Sequence, residues 1–363
     1  MKIKDRLNQL APYQQGKQIQ DIKKYYKLDR IVKLSSNENP YGFTPKIKEF
    51  LIDYVPAFDM YPDGYTRELR IDLAKKLNVH EAEIIFGSGS EEIIQMICRT
   101  FLFPDVNTVM AAPTFPQYKH NAIIEGAEVR EIATIDGYHD IDGMLEAIDE
   151  NTNVVWFCSP NNPTGNPMPK ENFIRFMNAC PEEVLVVLDE AYYEYVDPEK
   201  DIQAIEQVKQ YSNLIVLRTF SKAYGLAGLR IGYGIANAAI VKQLNLVRGP
   251  FNTTSIAQQI ARIALNDEAF IKDTKAKNLE VKLAFQQFLD DIGWHYFPSE
   301  TNFMLVATPE SGTDMFDYLI QHGFILRPGE LLGIPNTIRL TLGLKEDMER
   351  LQELILKYHK QKG

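Results

Sequence analysis

Residues 213–232 read NLIVLRTFSKAYGLAGLRIG, and this stretch decides the fold. Leu214 to Leu217 is short, branched and apolar, which is the composition of a parallel strand buried on both faces. The chain leaves that strand through Arg218, Thr219, Phe220, Ser221 and Lys222. Open α/β sheets put their ligands at the carboxyl ends of the strands. A lysine there is costly to keep charged, so its pKa falls and its amine becomes a nucleophile able to form a Schiff base. The competing reading of Lys222 is a stem that snorkels to water. Its companions along the chain decide between the two.

Outward from this stretch, apolar runs alternate with helix-period segments. The pattern predicts strands over Glu83–Phe86, Thr108–Ala112, Val129–Ile132, Asn153–Cys158, Val184–Leu188, Asn213–Leu217 and Arg230–Ile235. Helices are expected over Glu91–Phe103, Glu171–Asn178 and Ile202–Gln210. Such alternation gives an α/β fold, a mostly parallel seven-stranded sheet with helices on both faces. After about residue 245 the pattern changes to one long helix over Ser255–Asp290, then strands at Thr301–Val306 and Ile338–Leu342. The polar first forty residues, with a turn at Asn37-Glu38-Asn39-Pro40, are expected to join this part. The reading is a large domain over 41–245 and a smaller α+β domain from 1–40 and 246–363.

The bulk composition excludes several classes of function. A chain of 363 residues with 45% hydrophobic and 24% charged residues is an ordinary globular protein of about two domains. A net charge of −10 without a basic stripe argues against nucleic acid as a partner. No signal-like start and no 18-residue apolar run is present, so no membrane association is expected. Three cysteines, Cys98, Cys158 and Cys180, make no CxxC pair and suit a reducing cytoplasm. Six scattered histidines without HxxH or HExxH spacing give no metal site. No Walker or Rossmann glycine pattern follows a strand.

Four further strand ends carry chemistry. Val184 to Leu188 runs into Asp189-Glu190-Ala191-Tyr192. A carboxylate there needs a partner; a protonated pyridine nitrogen would supply one, and a helix N-cap role is the alternative. Tyr192 could offer its phenol to the same ring. Ser159-Pro160-Asn161-Asn162-Pro163-Thr164-Gly165 fixes a loop in which Asn162 presents a neutral donor, unless it is a plain turn. Gly87-Ser88-Gly89-Ser90 opens a helix, either as an anion cradle or as a flexible turn. Phe115 could stack on a planar ring or belong to the core. Arg230 follows Gly225-Leu226-Ala227-Gly228 and can grip a phosphate bidentately, with Thr219 and Ser221 adding hydroxyls. An imine-forming amine, a carboxylate, a phenol, an amide, an aromatic face and a phosphate cradle together match pyridoxal phosphate.

With these residues, the chain resembles the fold-type I pyridoxal-phosphate aminotransferases of class II, and among them the histidinol-phosphate aminotransferases. The resemblance is carried by Ala11-Pro12-Tyr13, NENPYG (37–42), Tyr61-Pro62-Asp63, GSGSEE (87–92), SPNNPTG (159–165), DEAY (189–192) and RTFSKAYGLAGLRIGY (218–233). RPG (327–329) and IRLTLG (338–343) complete it, in the family's order along almost the whole chain. One departure exists: Ser88 and Glu91 stand where the family's phosphate loop usually has Asn and Asp.

The resemblance implies that Lys222 binds pyridoxal phosphate covalently and shuttles the proton. Asp189 would pair with the pyridinium, while Tyr192 and Asn162 bond the ring oxygen and Phe115 lies on the ring. Ser88, Gly89, Ser90, Thr219, Ser221 and Arg230 would hold the phosphate. Tyr61 would reach the cofactor of a partner subunit in a homodimer. Tyr13, Asn39 and Arg327 would face the substrate, with Arg339 as its anion clamp. The implied activity moves an amino group from L-histidinol phosphate to 2-oxoglutarate. An aromatic-amino-acid aminotransferase, a threonine-phosphate decarboxylase and a non-catalytic cofactor-binding regulator are the competing readings.

Overall fold

The computed structural model of the chain describes residues 2–11 and 19–362. Among these residues the main sheet has seven strands: β1 (Ile84–Gly87), β2 (Asn107–Ala112), β3 (Glu128–Ala133), β4 (Thr152–Cys158), β5 (Leu185–Asp189), β6 (Leu214–Thr219) and β7 (Gly232–Ala236). Their spatial order is β1-β7-β6-β5-β4-β2-β3. Every neighbouring pair is parallel except those made by β7, which runs against both β1 and β6. That reversal matters for function. It pairs Gly232, at the start of β7, with Gly87 and Thr219 at the far ends of β1 and β6. The residues just before β7 therefore share one rim with the carboxyl ends of the parallel strands.

The central strands β4, β5 and β6 are buried along nearly their whole length. Each face of the sheet carries its own apolar cluster. One contains Phe86, Val155, Phe157, Leu188 and Val216; the other contains Ile85, Trp156, Val187 and Leu217. Alternation along each strand sends successive side chains to opposite clusters, which is why these runs are apolar throughout. The helix Ser90–Phe101 turns Ile93, Ile94, Met96, Ile97 and Cys98 inward. The helix Gln117–Glu125 ends on Gly126 in the left-handed region, φ +93°.

A second sheet places β8 (Phe303–Ala307) beside β10 (Thr337–Thr341), with β9 (Arg327–Pro328) on the other side of β10, all antiparallel. Val32–Lys33 pairs in parallel with Phe324–Ile325, so the early chain does join the late chain. No helix among the described residues is long and apolar enough to cross a membrane.

Several boundaries differ from the sequence reading. The expected single helix over Ser255–Asp290 is two, Ser255–Leu265 and Glu268–Asp291. Between them, the Asp267 carboxylate accepts from the Thr44 hydroxyl and lies 3.2 Å from Lys46 Nζ, anchoring the break. The helix Ser255–Leu265 sends Ala257, Ile260, Ala261, Ala264 and Leu265 into a main-sheet cluster, although it follows residue 245. The strand expected from Arg230 begins at Gly232, because Arg230 itself is left-handed at φ +51° and breaks the extended backbone. The helix expected over Ile202–Gln210 shortens to Ala204–Val208.

Candidate active site

Five carboxyl-terminal strand ends and the reversed start of β7 converge on one rim. Lys222 lies three residues past β6, half-buried, and its Nζ donates to the Ser36 carbonyl at 3.1 Å. Burial first, then the positive field of Arg339, lowers its pKa to about 8. Glu38 and Asp189 oppose that shift. An amine with this pKa is half deprotonated near pH 8 and keeps a neutral, nucleophilic fraction at neutrality that an ordinary lysine lacks.

Asp189 is the last residue of β5 and is 3% exposed. Its Oδ2 accepts from the Tyr118 hydroxyl at 2.7 Å and its Oδ1 from the Ala191 N–H at 3.1 Å. Burial outweighs these neutral donors and lifts the carboxyl to about 6. The helix-cap alternative does not describe it, since only a short 3-10 turn, Tyr193–Tyr195, follows. Behind it, the buried Glu190 and Arg218 form an ion pair at 2.8 Å that ties the ends of β5 and β6 together. Arg218 also lies 3.5 Å above the Tyr193 ring.

Tyr192 is buried, and its oxygen accepts from Asn37 Nδ2 at 2.9 Å. Burial pushes its pKa up, against the pull of Arg339. Asn162 sits at the rim beyond β4, and its Oδ1 accepts from Arg339 Nη1 at 2.5 Å. Arg339 also donates to the Ser35 carbonyl at 2.9 Å and covers the Phe303 ring at 5.2 Å. Arg327 is its direct cross-strand partner in the β9–β10 ladder. Two permanent cations thus stand on one face of the second sheet.

The turn between β1 and the helix Ser90–Phe101 has the shape of an anion cradle. Gly89 has φ +79°, and a Cβ there would meet Arg230 Nη2 at 2.5 Å. A Cβ on Gly232 would lie 2.4 Å from the Ser90 nitrogen. Both glycines let the backbone close on a small space at a helix N-terminus. Arg230 Nη1 donates to Ser221 Oγ at 3.2 Å, and the Ser221 N–H donates to Thr219 Oγ1 at 3.1 Å. The Ser88 N–H is taken by Glu92 at 2.5 Å, so Ser88 can offer an anion only its hydroxyl. This cradle, the buried carboxylate and the low-pKa amine fit pyridoxal phosphate.

The expected residues are not all brought together. Phe115 is half-buried beside the rim, edge-on to Tyr118 at 5.6 Å. Asn39 spends its Nδ2 on the Ala223 carbonyl at 2.8 Å, fastening the NENPYG segment to the lysine loop. Gly225, φ +73°, permits this: a Cβ there would lie 1.8 Å from the Gly42 carbonyl oxygen. Tyr61 is 82% exposed and stacks on Phe251 at 4.6 Å, with its ring turned to solvent. Tyr13 lies outside the described residues.

Sequence reasoning missed Tyr118 and gave Asn37 no role. Tyr118 sits three residues after Phe115 in the same segment, one helical turn away, which was the available signal. Asn37 lies inside NENPYG (37–42) but announces no chemistry by type.

The chain matches the model of aminotransferase class I and II over residues 29–355. It is 57% identical to histidinol-phosphate aminotransferase 2 of Oceanobacillus iheyensis, across the whole of both chains. It is 51% identical to histidinol-phosphate aminotransferase of Bacillus subtilis, covering 98% of this chain and 99% of that one. The structure of histidinol-phosphate aminotransferase from Sinorhizobium meliloti in complex with pyridoxal-5'-phosphate superposes with a TM-score of 0.90 at 27% identity, covering 98% and 97% of the two chains.

Proposed function

The chain belongs to the class I and II aminotransferases, and we propose that it moves the amino group of L-histidinol phosphate to 2-oxoglutarate, in the synthesis of histidine. The products are imidazole-acetol phosphate and L-glutamate, and the cofactor is pyridoxal phosphate. The observation that carries this reading is the Arg327–Arg339 pair on one face of the second sheet, with Arg339 bonded to Asn162 and its field reaching Lys222. Both amino donors, histidinol phosphate and glutamate, carry an anion beyond the reacting carbon. One planar guanidinium can engage either anion bidentately. The names of the full-length relatives support the same substrate.

When bound, pyridoxal phosphate supplies an electron-accepting ring that lets a proton leave the carbon bearing the amine. The chain does the rest. Gly89, Ser90, Thr219, Ser221 and Arg230, with the Ser88 hydroxyl, would hold the phosphate, and Phe115 would offer its face to the ring. Asp189 would face the ring nitrogen and keep a proton there, and that cation would in turn stabilise the buried carboxylate. Tyr192 and Asn162 would bond the ring oxygen. Lys222 Nζ would bind the cofactor, and the same amine would take the proton from the amine-bearing carbon and return it from the face that it lines. Arg339, Arg327, Tyr13 and Asn39 would align the substrate.

The proposal includes assembly and location. Tyr61 would complete the site of a second copy in a homodimer, an idea supported by the exposed apolar residues around it, Ile52, Val55, Phe58 and Met60. Residues 41–245 would form the cofactor-binding unit, extended by the helix Ser255–Leu265, and both chain ends the smaller unit. Cys98, Cys158 and Cys180 are all free and buried, which suits the cytoplasm.

The test is a substrate panel with 2-oxoglutarate as acceptor: histidinol phosphate, L-histidinol, phenylalanine, tyrosine and threonine phosphate. Histidinol phosphate should give by far the highest kcat/KM, because histidinol leaves a buried arginine without its anion. Equal kcat/KM for histidinol and histidinol phosphate, or a preference for phenylalanine, would overturn the substrate assignment.

A further inference from the structure

Tyr192 is a donor to the ring oxygen only if its proton points into the site, and the geometry behind it decides that direction. Asn37 is 2% exposed, and its side-chain amide is oriented by Thr341. Thr341 Oγ1 accepts the Asn37 backbone N–H at 3.0 Å and donates to Asn37 Oδ1 at 3.3 Å. The amide oxygen is thereby spoken for, and Nδ2 is the atom that meets Tyr192, at 2.9 Å. An amide nitrogen only donates, so the phenol oxygen must accept from it. The Tyr192 proton is left for another acceptor.

We propose that Asn37 is a positioning residue: by occupying the acceptor side of the Tyr192 hydroxyl, it commits the Tyr192 proton to donation onto the cofactor's ring oxygen. The proposal rests on the pyridoxal-phosphate reading above. Its geometry is unusually constrained. Asn37 has φ +58°, a conformation asparagine tolerates better than most residues, and Asn302 Nδ2 donates to its carbonyl at 3.0 Å. Thr341 and Asn302 belong to the second sheet and its approach, whereas Tyr192 follows β5 of the main sheet. The Asn37–Tyr192 bond therefore joins the two sheets at the atom that controls the ring oxygen.

The experiment is a spectral pH titration of the cofactor-loaded protein. Asn37→Asp keeps the shape and tolerates positive φ, but replaces the donor with an acceptor that draws the Tyr192 proton away from the site. A ring oxygen that loses its donor holds the neighbouring imine proton more tightly. The midpoint of the visible band should rise by about one pH unit, the scale of one charge-assisted hydrogen bond. In a Tyr192→Phe background the same substitution should add nothing. The charged and titratable groups that face Tyr192, namely Arg339, Asp189, Cys158 and Lys222, are untouched by either change. An equal shift with and without the phenol would overturn the proposal, because a new charge acting through space would explain it. An unchanged midpoint in Asn37→Asp would overturn it as well. Thr341→Val removes only the hydroxyl that orients the amide and provides an independent arm should Asn37→Asp fail to fold: a smaller rise supports the proposal, and none overturns it. A native protein with no visible band would instead overturn the cofactor reading, and this inference with it.

Discussion

Tyr118 donates its phenolic proton to Asp189 Oδ2 at 2.7 Å, so the carboxylate at the end of β5 is held from behind by a residue of a different element. Tyr118 is fully buried and stacks on Trp156 at 4.7 Å with 14° between the planes. Trp156 is fixed in turn by its Nε1–H, which donates to Thr108 Oγ1 at 2.8 Å. A chain of rigid aromatic contacts across β2, β4 and the helix Gln117–Glu125 therefore sets the direction of the Asp189 carboxylate. In Tyr118→Phe the stack survives and the donor is lost. That should cost about 1–2 kcal/mol of transition-state stabilisation, roughly a tenfold fall in kcat, with the fold intact. The check is a double-mutant cycle. In an Asp189→Asn background the further change to phenylalanine should have little effect, and full additivity would refute the link.

Asp189 also carries a stability cost that depends on pH. Its carboxyl is raised from 3.8 to about 6 by burial, so the folded protein without cofactor binds its proton more tightly than the unfolded chain does. Stability is therefore lost as pH rises from about 4 to about 6, by roughly 3 kcal/mol from this group alone. Asp189→Asn removes the titration. The cofactor-free variant should unfold at a higher temperature than the unmodified protein at pH 7, and with little or no advantage at pH 4. Glu194, raised to about 7 by burial, adds to the trend in both proteins and cancels in the comparison. Calorimetry at the two pH values would decide, and a variant less stable at pH 7 would refute the argument.

The strands were legible because Val154–Cys158 of β4, Leu185–Leu188 of β5 and Leu214–Leu217 of β6 are continuous apolar runs, and only a sheet covered on both faces requires that. Asp189 and Lys222 were legible for the complementary reason: a charge at the end of such a strand has to be explained. What the sequence hides is pairing across long separations. Tyr118 and Asp189 are 71 residues apart, Asn37 and Tyr192 are 155 apart, and no local period connects either pair. The break at Asn266–Asp267 was hidden similarly, since the anchor at Thr44 is 223 residues away. Even the cradle was only half visible. Gly232 reads as an ordinary strand residue until the reversal of β7 brings it against Ser90.

Lys222 should reveal its lowered pKa in the rate of cofactor attachment. The neutral amine is the reactive form, so attachment of pyridoxal phosphate to the cofactor-free protein should accelerate with rising pH through about 8. Borohydride should then fix the cofactor to this lysine, and Lys222→Ala should abolish both the attachment and nearly all turnover. After burial, Arg339 is the largest cause of the shift, so Arg339→Gln should move the midpoint upward. Stopped-flow absorbance across pH 6 to 10 measures it. A midpoint near that of an ordinary lysine would show that the amine is not held as the structure implies.

Arg339→Lys separates charge from shape at the anion clamp. The lysine keeps one positive charge but cannot bond Asn162, the Ser35 carbonyl and a substrate anion at the same time. Both half-reactions should weaken, with kcat/KM for histidinol phosphate and for glutamate falling about 100-fold, the scale of one bidentate charge-assisted contact. L-histidinol, with no anion to lose, should fall much less. A uniform loss across all three substrates would mean that the substitution damages the Asn162 contact and that the clamp lies elsewhere.

Tyr61 offers the sharpest test of assembly, because its ring is 82% exposed and its neighbours in sequence Val55 and Phe58 are 86% and 89% exposed. An apolar surface of this kind on one chain calls for a cover, and a second copy placed by a twofold axis is the economical one. If Tyr61 completes the partner's phosphate cradle, two defective chains should repair each other. Lys222→Ala lacks the amine but can lend its tyrosine; Tyr61→Ala keeps the amine but lends nothing. After unfolding, mixing in equal amounts and refolding, random pairing makes half the dimers mixed, each with one intact site of two. Activity at limiting pyridoxal phosphate should then recover to about one quarter of native. Sedimentation would confirm that the mixed material is dimeric. Activity no higher than the average of the two separate variants would show that Tyr61 serves only its own chain or none.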